Sequence, residues 1–506
     1  MENLAQARVE LVRLEVRAQQ LVKELLDVRT AVSAQRSKIS QLLKQRLPST
    51  TIHSFPTELL LLILSLDVGA HPGHERQQEL ARVSRRWRDV ILNTPIFWTT
   101  INIGRLNTSA INAYLKRSAE SLIDIVITIH SQDNLDYDKL TLYLAIVTPF
   151  ADRWRSLVFD IEGQASELDI TTPIGVFITE AIGHLRFPSL RRVTIPYVGG
   201  IPYPDFLSPT YAPALEHLEL EGFLPCENFA LPPTLETLRL VADKFIDDAH
   251  YPLFAYLIPT QRLTTLSLSG EIDEWILGPN SMHFPVLKTL TLSISETDRF
   301  LQAIIAPNLE YFNYDANFYY WPPNAKPLSV VFGGLGPKFT NVQHISFPHT
   351  TDLISRLPDN ENGALSLCKA FPNVRHAELN LLDLNNLFPG RSAAEFGYPI
   401  DCWKDLQSLT LRIGSHFLWV EGLNYLSQWI IQRQKSGLPP LHVKLTGFAS
   451  TEYPDDSLER LHDSLGYYCS LEVDFPMKKK TVYLSMVADS SLRMVGTCIF
   501  PSCNKI

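Results

Sequence analysis

The stretch Ala212-Pro-Ala-Leu215-Glu-His-Leu218-Glu-Leu220 carries the pattern that decides the fold. An entry proline is followed by one apolar residue, two variable ones, a second apolar, one variable and a third apolar. The phrase recurs as Trp154/Leu157/Phe159, Leu190/Val193/Ile195, Leu235/Leu238/Leu240, Leu263/Leu266/Leu268 and Leu287/Leu290/Leu292. It continues as Leu309/Phe312/Tyr314, Val342/Ile345/Phe347, Val374/Ala377/Leu379 and Leu406/Leu409/Leu411, at intervals of 20 to 36 residues. Alternation after the first apolar residue turns every second side chain inward, which is a strand signal. One short strand per interval, punctuated by turns, describes stacked units that close each other's cores. Segments 174–187 and 418–433 read as helices between strands. Leu122 to Ile129 reads as the first strand or a cap, and Leu471-Glu-Val-Asp-Phe475 as the last strand. The array is placed at 150–475, after a linker or cap of strand and helix at 99–149 and before a partly disordered tail at 476–506.

The chain has 506 residues, 45% apolar and 20% charged, a globular composition of two to four domains or one long array. Its net charge of −9 disfavours a general nucleic-acid binder. The six cysteines form no C-x-x-C pair, so neither a disulfide scaffold nor a zinc ribbon is expected. The N-terminus lacks the apolar core of a signal peptide. The longest apolar run, Leu59 to Leu64, is far short of the ~20 residues that span a bilayer. A soluble protein of the cytoplasm, the nucleus or both is expected, bound to no membrane. Lys478-Lys479-Lys480 reads as a solvated face rather than a nuclear signal.

Residues 3–46 contain neither proline nor glycine. With Leu4 at heptad position a, the a positions are Leu4, Leu11, Ala18, Leu25, Val32, Ile39 and Arg46. The d positions are Ala7, Leu14, Leu21, Val28, Gln35 and Leu42. This seam predicts a long coiled-coil helix over 1–47, with Glu24 and Arg29 placed for an interhelical pair. Two readings stay open: self-association, as a homodimer or on a partner helix, or folding back on the chain's own domain.

Residues 53–98 form a small helical module. Phe55-Pro56-Thr57-Glu58 opens a helix, with proline suited to its first turn. The run Leu59 to Leu66 that follows is apolar on nearly every side. Gly69, Pro72 and Gly73 mark a loop. A second helix carries Leu80, Val83, Ser84, Trp87, Val90 and Ile91 on one face, and Phe97-Trp98 closes the module. About 45 residues cannot bury that much leucine internally. One side must pack on the rest of the chain and the other must meet a second protein.

These marks, in this order, resemble an F-box of the kind found in fungal proteins. Phe55 stands for the usual first leucine, Ser84 for a cysteine and Phe97 for the last leucine. The resemblance implies that Phe55, Pro56, Leu59, Leu60, Ile63, Leu80, Val83 and Trp87 form or support a face for a Skp-family adaptor, and through it a cullin. The repeated phrase resembles the strand half of a leucine-rich repeat, although the asparagine of that family is missing from its usual place. The expected fold is therefore α/β: a coiled-coil helix, a small helical F-box, then an irregular leucine-rich-repeat solenoid with a parallel sheet and outer helices.

Nothing in the sequence argues for catalysis, a cofactor or a metal. His71-Pro-Gly-His74 lacks further ligands. Cys498 and Cys503 read as ordinary thiols. Gly333-Gly-Leu-Gly336 lacks the Gly-Lys-Ser/Thr ending of a phosphate loop and reads as a turn. Residues between the strand leucines are expected on the binding face, among them Arg191, Glu216, Glu219, Glu236, Arg239, Lys288, Glu310, His344, His376 and Glu378. Their mixed charge suits a protein partner. The aromatic run Tyr311, Phe312, Tyr314, Phe318, Tyr319, Tyr320, Trp321 has two readings, a target contact or core filling. Tyr311, Tyr314, Tyr319, Tyr320 and Trp321 are the target-binding candidates. The function that the resemblance implies is a non-enzymatic substrate receptor of a Skp–cullin–F-box ubiquitin ligase; the alternative is a scaffold that holds partners without driving degradation.

Overall fold

A computed structural model describes residues 2–46, 55–70, 74–130, 137–162, 171–195, 201–202, 204–224, 231–242, 258–270, 277–315, 326–347, 360–380, 387, 398–412, 420–446 and 469–473. The chain divides into two compact units, Met1–Trp98 and Thr99–Ile506. The first holds helices, and the second is mixed α/β around one large parallel sheet. No helix of the described residues is long and apolar enough to cross a membrane.

In the first unit, α1 (Glu2–Arg46) is one unbroken helix whose side chains are exposed from Gln6 to Leu42. The fold-back reading of this helix is therefore not what is observed. The module that follows has three helices, α2 (Thr57–Ala70), α3 (His74–Val83) and α4 (Arg85–Asn93), where two were expected. Gly69, expected in a loop, lies inside α2. The expected second helix breaks at Ser84, whose extended backbone (φ −156°, ψ 165°) makes it the N-cap of α4. Its hydroxyl accepts a hydrogen bond from Trp87 N at 3.1 Å, satisfying one amide that the new helix leaves open. Ser84→Ala is expected to destabilise the module by about 1 kcal/mol, measured by thermal melting, because the amide then loses its acceptor.

In the second unit the sheet starts earlier than expected. Its first strand is β1 (Thr100–Ile103), followed by β2 (Ile123–His130), so the strand and helix expected over 99–149 are present and the described strands there are the first two of the sheet. The strands continue as β3 (Trp154–Glu162), β4 (Arg192–Ile195), β5 (Ile201–Pro202), β6 (His217–Leu224), β7 (Thr237–Ala242) and β8 (Thr265–Gly270). Next come β9 (Met282–His283), β10 (Thr289–Ile294), β11 (Ile304–Ile305), β12 (Tyr311–Tyr314) and β13 (His344–Phe347). The last are β14 (His376–Asn380), β15 (Ser408–Arg412), β16 (Leu441–Thr446) and β17 (Cys469–Val473). Fourteen of these stand side by side in chain order, all parallel; β5 pairs only with β6, and β9 with β11 forms a separate small ladder. β16 escaped the repeat reading because Pro440 occupies its first apolar slot.

All thirty apolar positions of the ten repeated phrases are buried. They fill one face of the sheet, where the intervening turns and helices add large aromatics such as Phe187 against Trp154 at 5.2 Å. Expected helices at 174–187 and 418–433 are observed as Thr171–Ile182 and Val420–Lys435. Phe187 lies beyond the first of these, in the turn entering β4. Rungs are tied at their entry turns. The Arg191 carbonyl accepts from both Glu216 N and His217 N, and the same fork recurs at Glu216, Glu236, Thr264, Lys288, Glu310, Gln343 and Arg375.

An asparagine ladder does exist, immediately before the first apolar residue of the phrase. Asn308 donates to the Pro285 carbonyl, Asn341 to Pro307 and Asn373 to Thr340, each reaching the equivalent turn of the preceding rung. The turn at Gly333–Gly336 is as expected, with Gly334 and Gly336 both in the left-handed region.

Candidate functional site: an apolar helical face and an open sheet face

Within the helical module, α2 has two opposed apolar stripes. Leu60 and Leu64, four residues apart, are fully buried. Leu59, Leu62, Ile63 and Leu66 follow the i, i+3, i+4, i+7 spacing of one helix face, and Leu62 and Leu66 are 55% and 67% exposed. Phe55 and Val83 are also exposed, as is Ile96 in the closing turn. Of the eight residues expected at an adaptor face, Phe55, Pro56, Leu59, Ile63 and Val83 are exposed. Leu60, Leu80 and Trp87 are buried, so they can support such a face but not present it.

Polar anchors hold the helices in place. The Arg76 guanidinium donates to both carboxylate oxygens of Asp67, at 2.6 and 2.8 Å, joining the end of α2 to α3. Arg86 donates to the Phe55 carbonyl and the Thr57 hydroxyl, fixing the start of α2. Trp98 Nε1 donates to the Ile91 carbonyl at 2.8 Å.

On the sheet, strand register resolves the residues between the leucines into separate rows. The first variable position lies in the entry turn. There the charges pair with one another, Arg191 with Glu216 and Lys288 with Glu310, at 3.3 and 3.6 Å. These exposed pairs are weak, and the mixed charge expected to meet a partner is largely spent between rungs. The other two positions project from the open face. One row runs Thr265, Thr289, Tyr311, His344, His376, Ser408, His442, Ser470, and its neighbour Ser267, Thr291, Asn313, Ser346, Glu378, Thr410, Lys444, Glu472.

Across β10 to β15 these rows line a shallow open groove of about 510 Å³. Three of its rings form a continuous stack, Tyr311 on His344 and His344 on His376, each 4.3 Å between centroids and 16° from parallel. His376 Nδ1 ends the stack at Ser408 Oγ, 2.7 Å away. Glu378 is already engaged, accepting from Arg412 Nε at 2.6 Å and Ser346 Oγ at 3.0 Å. The Asn313 Oδ1 acceptor is buried with no hydrogen-bond partner among the described residues. The groove is thus aromatic, rich in hydrogen-bonding groups and close to neutral.

Burial pushes the His344 imidazole below its ordinary value; neighbouring His376 acts in the same direction and Glu310 against it. The folded chain therefore favours the neutral ring more than the unfolded chain does. This stability is fully present above the ordinary value of about 6.5 and is lost as pH falls from there toward the lower folded value. His344→Gln is expected to flatten the fall in Tm between pH 7.5 and 5.5; an unchanged slope in that variant would remove His344 as the cause.

The target-binding candidates divide sharply. Tyr311 lies on the open face, whereas Tyr314, expected to contact a target, is buried among Phe332 and Phe347, where burial raises its hydroxyl pKa. Tyr319, Tyr320 and Trp321 lie outside the described residues. The exposed leucines Leu62 and Leu66 were not singled out, because an all-apolar run has no period from which a face can be read. Among the described residues no cluster of three or more His, Cys, Asp or Glu is arranged to hold a metal ion. No family model matches the chain, and no curated protein matches it.

Proposed function

We propose that the chain is a non-catalytic substrate receptor of a Skp–cullin–F-box ubiquitin ligase. The helical module takes the Skp-family adaptor and the repeat array takes a protein target. The observation that carries this reading is the exposed stripe Leu59, Leu62, Ile63, Leu66 on a helix whose opposite side is buried. An apolar face of that regularity is an interaction surface in a stable protein, and it occurs in the module whose sequence marks resemble an F-box.

The groove across β10 to β15 supports the second half of the reading. It offers aromatic rings and hydrogen-bonding groups without the cationic lining a phosphate backbone needs. Holding a target beside a charged ubiquitin-conjugating enzyme raises the effective concentration of the target's lysines, so the receptor supplies no catalytic group.

The test is co-purification of the full chain with a purified Skp-family adaptor, beside a chain lacking residues 53–98. Binding by the first alone is the expected result. Absence of binding by the intact chain would overturn the proposal.

A further inference from the structure

We infer that α1 pairs with α1 of a second copy of this chain, as a parallel two-stranded coiled coil in register. In the single chain the heptad residues Leu11, Leu14, Leu21, Leu25, Val28, Val32, Ile39 and Leu42 are all exposed. A helix of 45 residues holds six heptads, and a seam of that length open to water is a surface made for another helix. A second copy is the occupant because it supplies the same period, the same length and a matching arrangement of polar residues.

Orientation follows from Gln35, because the flanking charges nearly cancel in either arrangement. In a parallel pair Gln35 meets its own copy, and the two amides satisfy each other within the seam. The pair Glu24 with Arg29 of the other copy then forms twice, against one unfavourable approach, also doubled, of Glu10 to Glu15. In the antiparallel pair that aligns the same seam, Gln35 faces Leu11 and its amide has no partner; there Glu10 faces Lys38 and Glu15 faces Arg29, against Arg8 facing Arg36 and Glu24 its own copy. An unsatisfied buried amide costs more than exposed ion pairs return, so the parallel arrangement wins. Gln35 thereby pins the register, and each assembly carries two helical modules and two sheet faces, which suits a target with more than one recognition segment.

The experiment is sedimentation equilibrium of the full chain at micromolar concentration, followed by oxidation of a chain carrying both Leu14→Cys and Val32→Cys, which leaves Gln35 in place, with the linked peptides read by mass spectrometry. The expected result is a dimer in which residue 14 links to residue 14 and residue 32 to residue 32 of the other copy. Leu25→Glu with Val28→Glu should weaken self-association at least 100-fold and leave the melting of the sheet unit unchanged. A monomeric chain, or links between positions 14 and 32, would overturn the proposal. Neither outcome bears on adaptor binding, which rests on α2.

Discussion

A chain carrying Leu62→Asp and Leu66→Lys is expected to fold as the parent does and to lose a Skp-family adaptor. Both side chains already stand in water, so the substitutions remove little buried area. The acid four residues before the base forms a favourable helical pair, and a lysine near the end of α2 suits the helix dipole. Helix propensity falls by only about 0.5 kcal/mol for the aspartate, so melting should move little. Docking is another matter. An adaptor that covers this stripe must desolvate an ion pair whose remaining hydrogen-bonding groups its apolar surface cannot satisfy, at several kcal/mol. A loss of at least ~100-fold in affinity, about 2.7 kcal/mol, is the conservative expectation. Titration calorimetry with the purified adaptor measures it, and affinity within threefold of the parent would rule out this face. Leu60→Asp is a poorer test. Leu60 is wholly buried, so the substitution would unfold the module and abolish binding for a reason unrelated to docking.

The second large effect is expected in the array. Phe312 is buried in β12 and its ring stacks on Phe371 at 4.8 Å, with Phe332 and Phe347 at 6.3 Å. Phe312→Ala removes the centre of this cluster, and turns anchored on different rungs cannot collapse far to fill the space. The expected cost is about 3–5 kcal/mol. Each rung is supported by its neighbours, so the loss should be local. Hydrogen exchange should rise first between residues 289 and 379, while β1 to β3 keep their protection. Uniform loss across the sheet, or a cost under about 1 kcal/mol, would contradict this picture. The stack of Tyr311, His344 and His376 stands on the opposite face of the same strands, so target binding should weaken along with the core.

The inward and outward positions of the strands were readable from alternation alone. That rule already placed Tyr314 inward, since it is the third apolar position of its phrase, and the aromatic-run reading wrongly drew it outward. The start of the sheet was less readable. Trp98/Ile101/Ile103 obeys the same phrase, but Trp98 also closes the helical module, and one residue cannot announce two elements. The break at Ser84 was hidden for a related reason. The apolar spacing from Leu80 to Ile91 runs on as though the helix were continuous, and only the cap geometry separates α3 from α4.

By itself the sequence determined which residues enter the core of the array, because in a strand burial follows a local period of two that each side chain obeys wherever the strand is placed. It also determined that α1 is one long helix with an apolar seam, since uninterrupted helix formers and a heptad spacing are local properties too. Tertiary structure alone decided which leucines of α2 face water, because a run apolar on every side gives no preference until other helices cover one of them. It alone aligned Tyr311, His344 and His376 into one stack across rungs more than thirty residues apart, because lateral register arises from strand pairing and not from spacing along the chain.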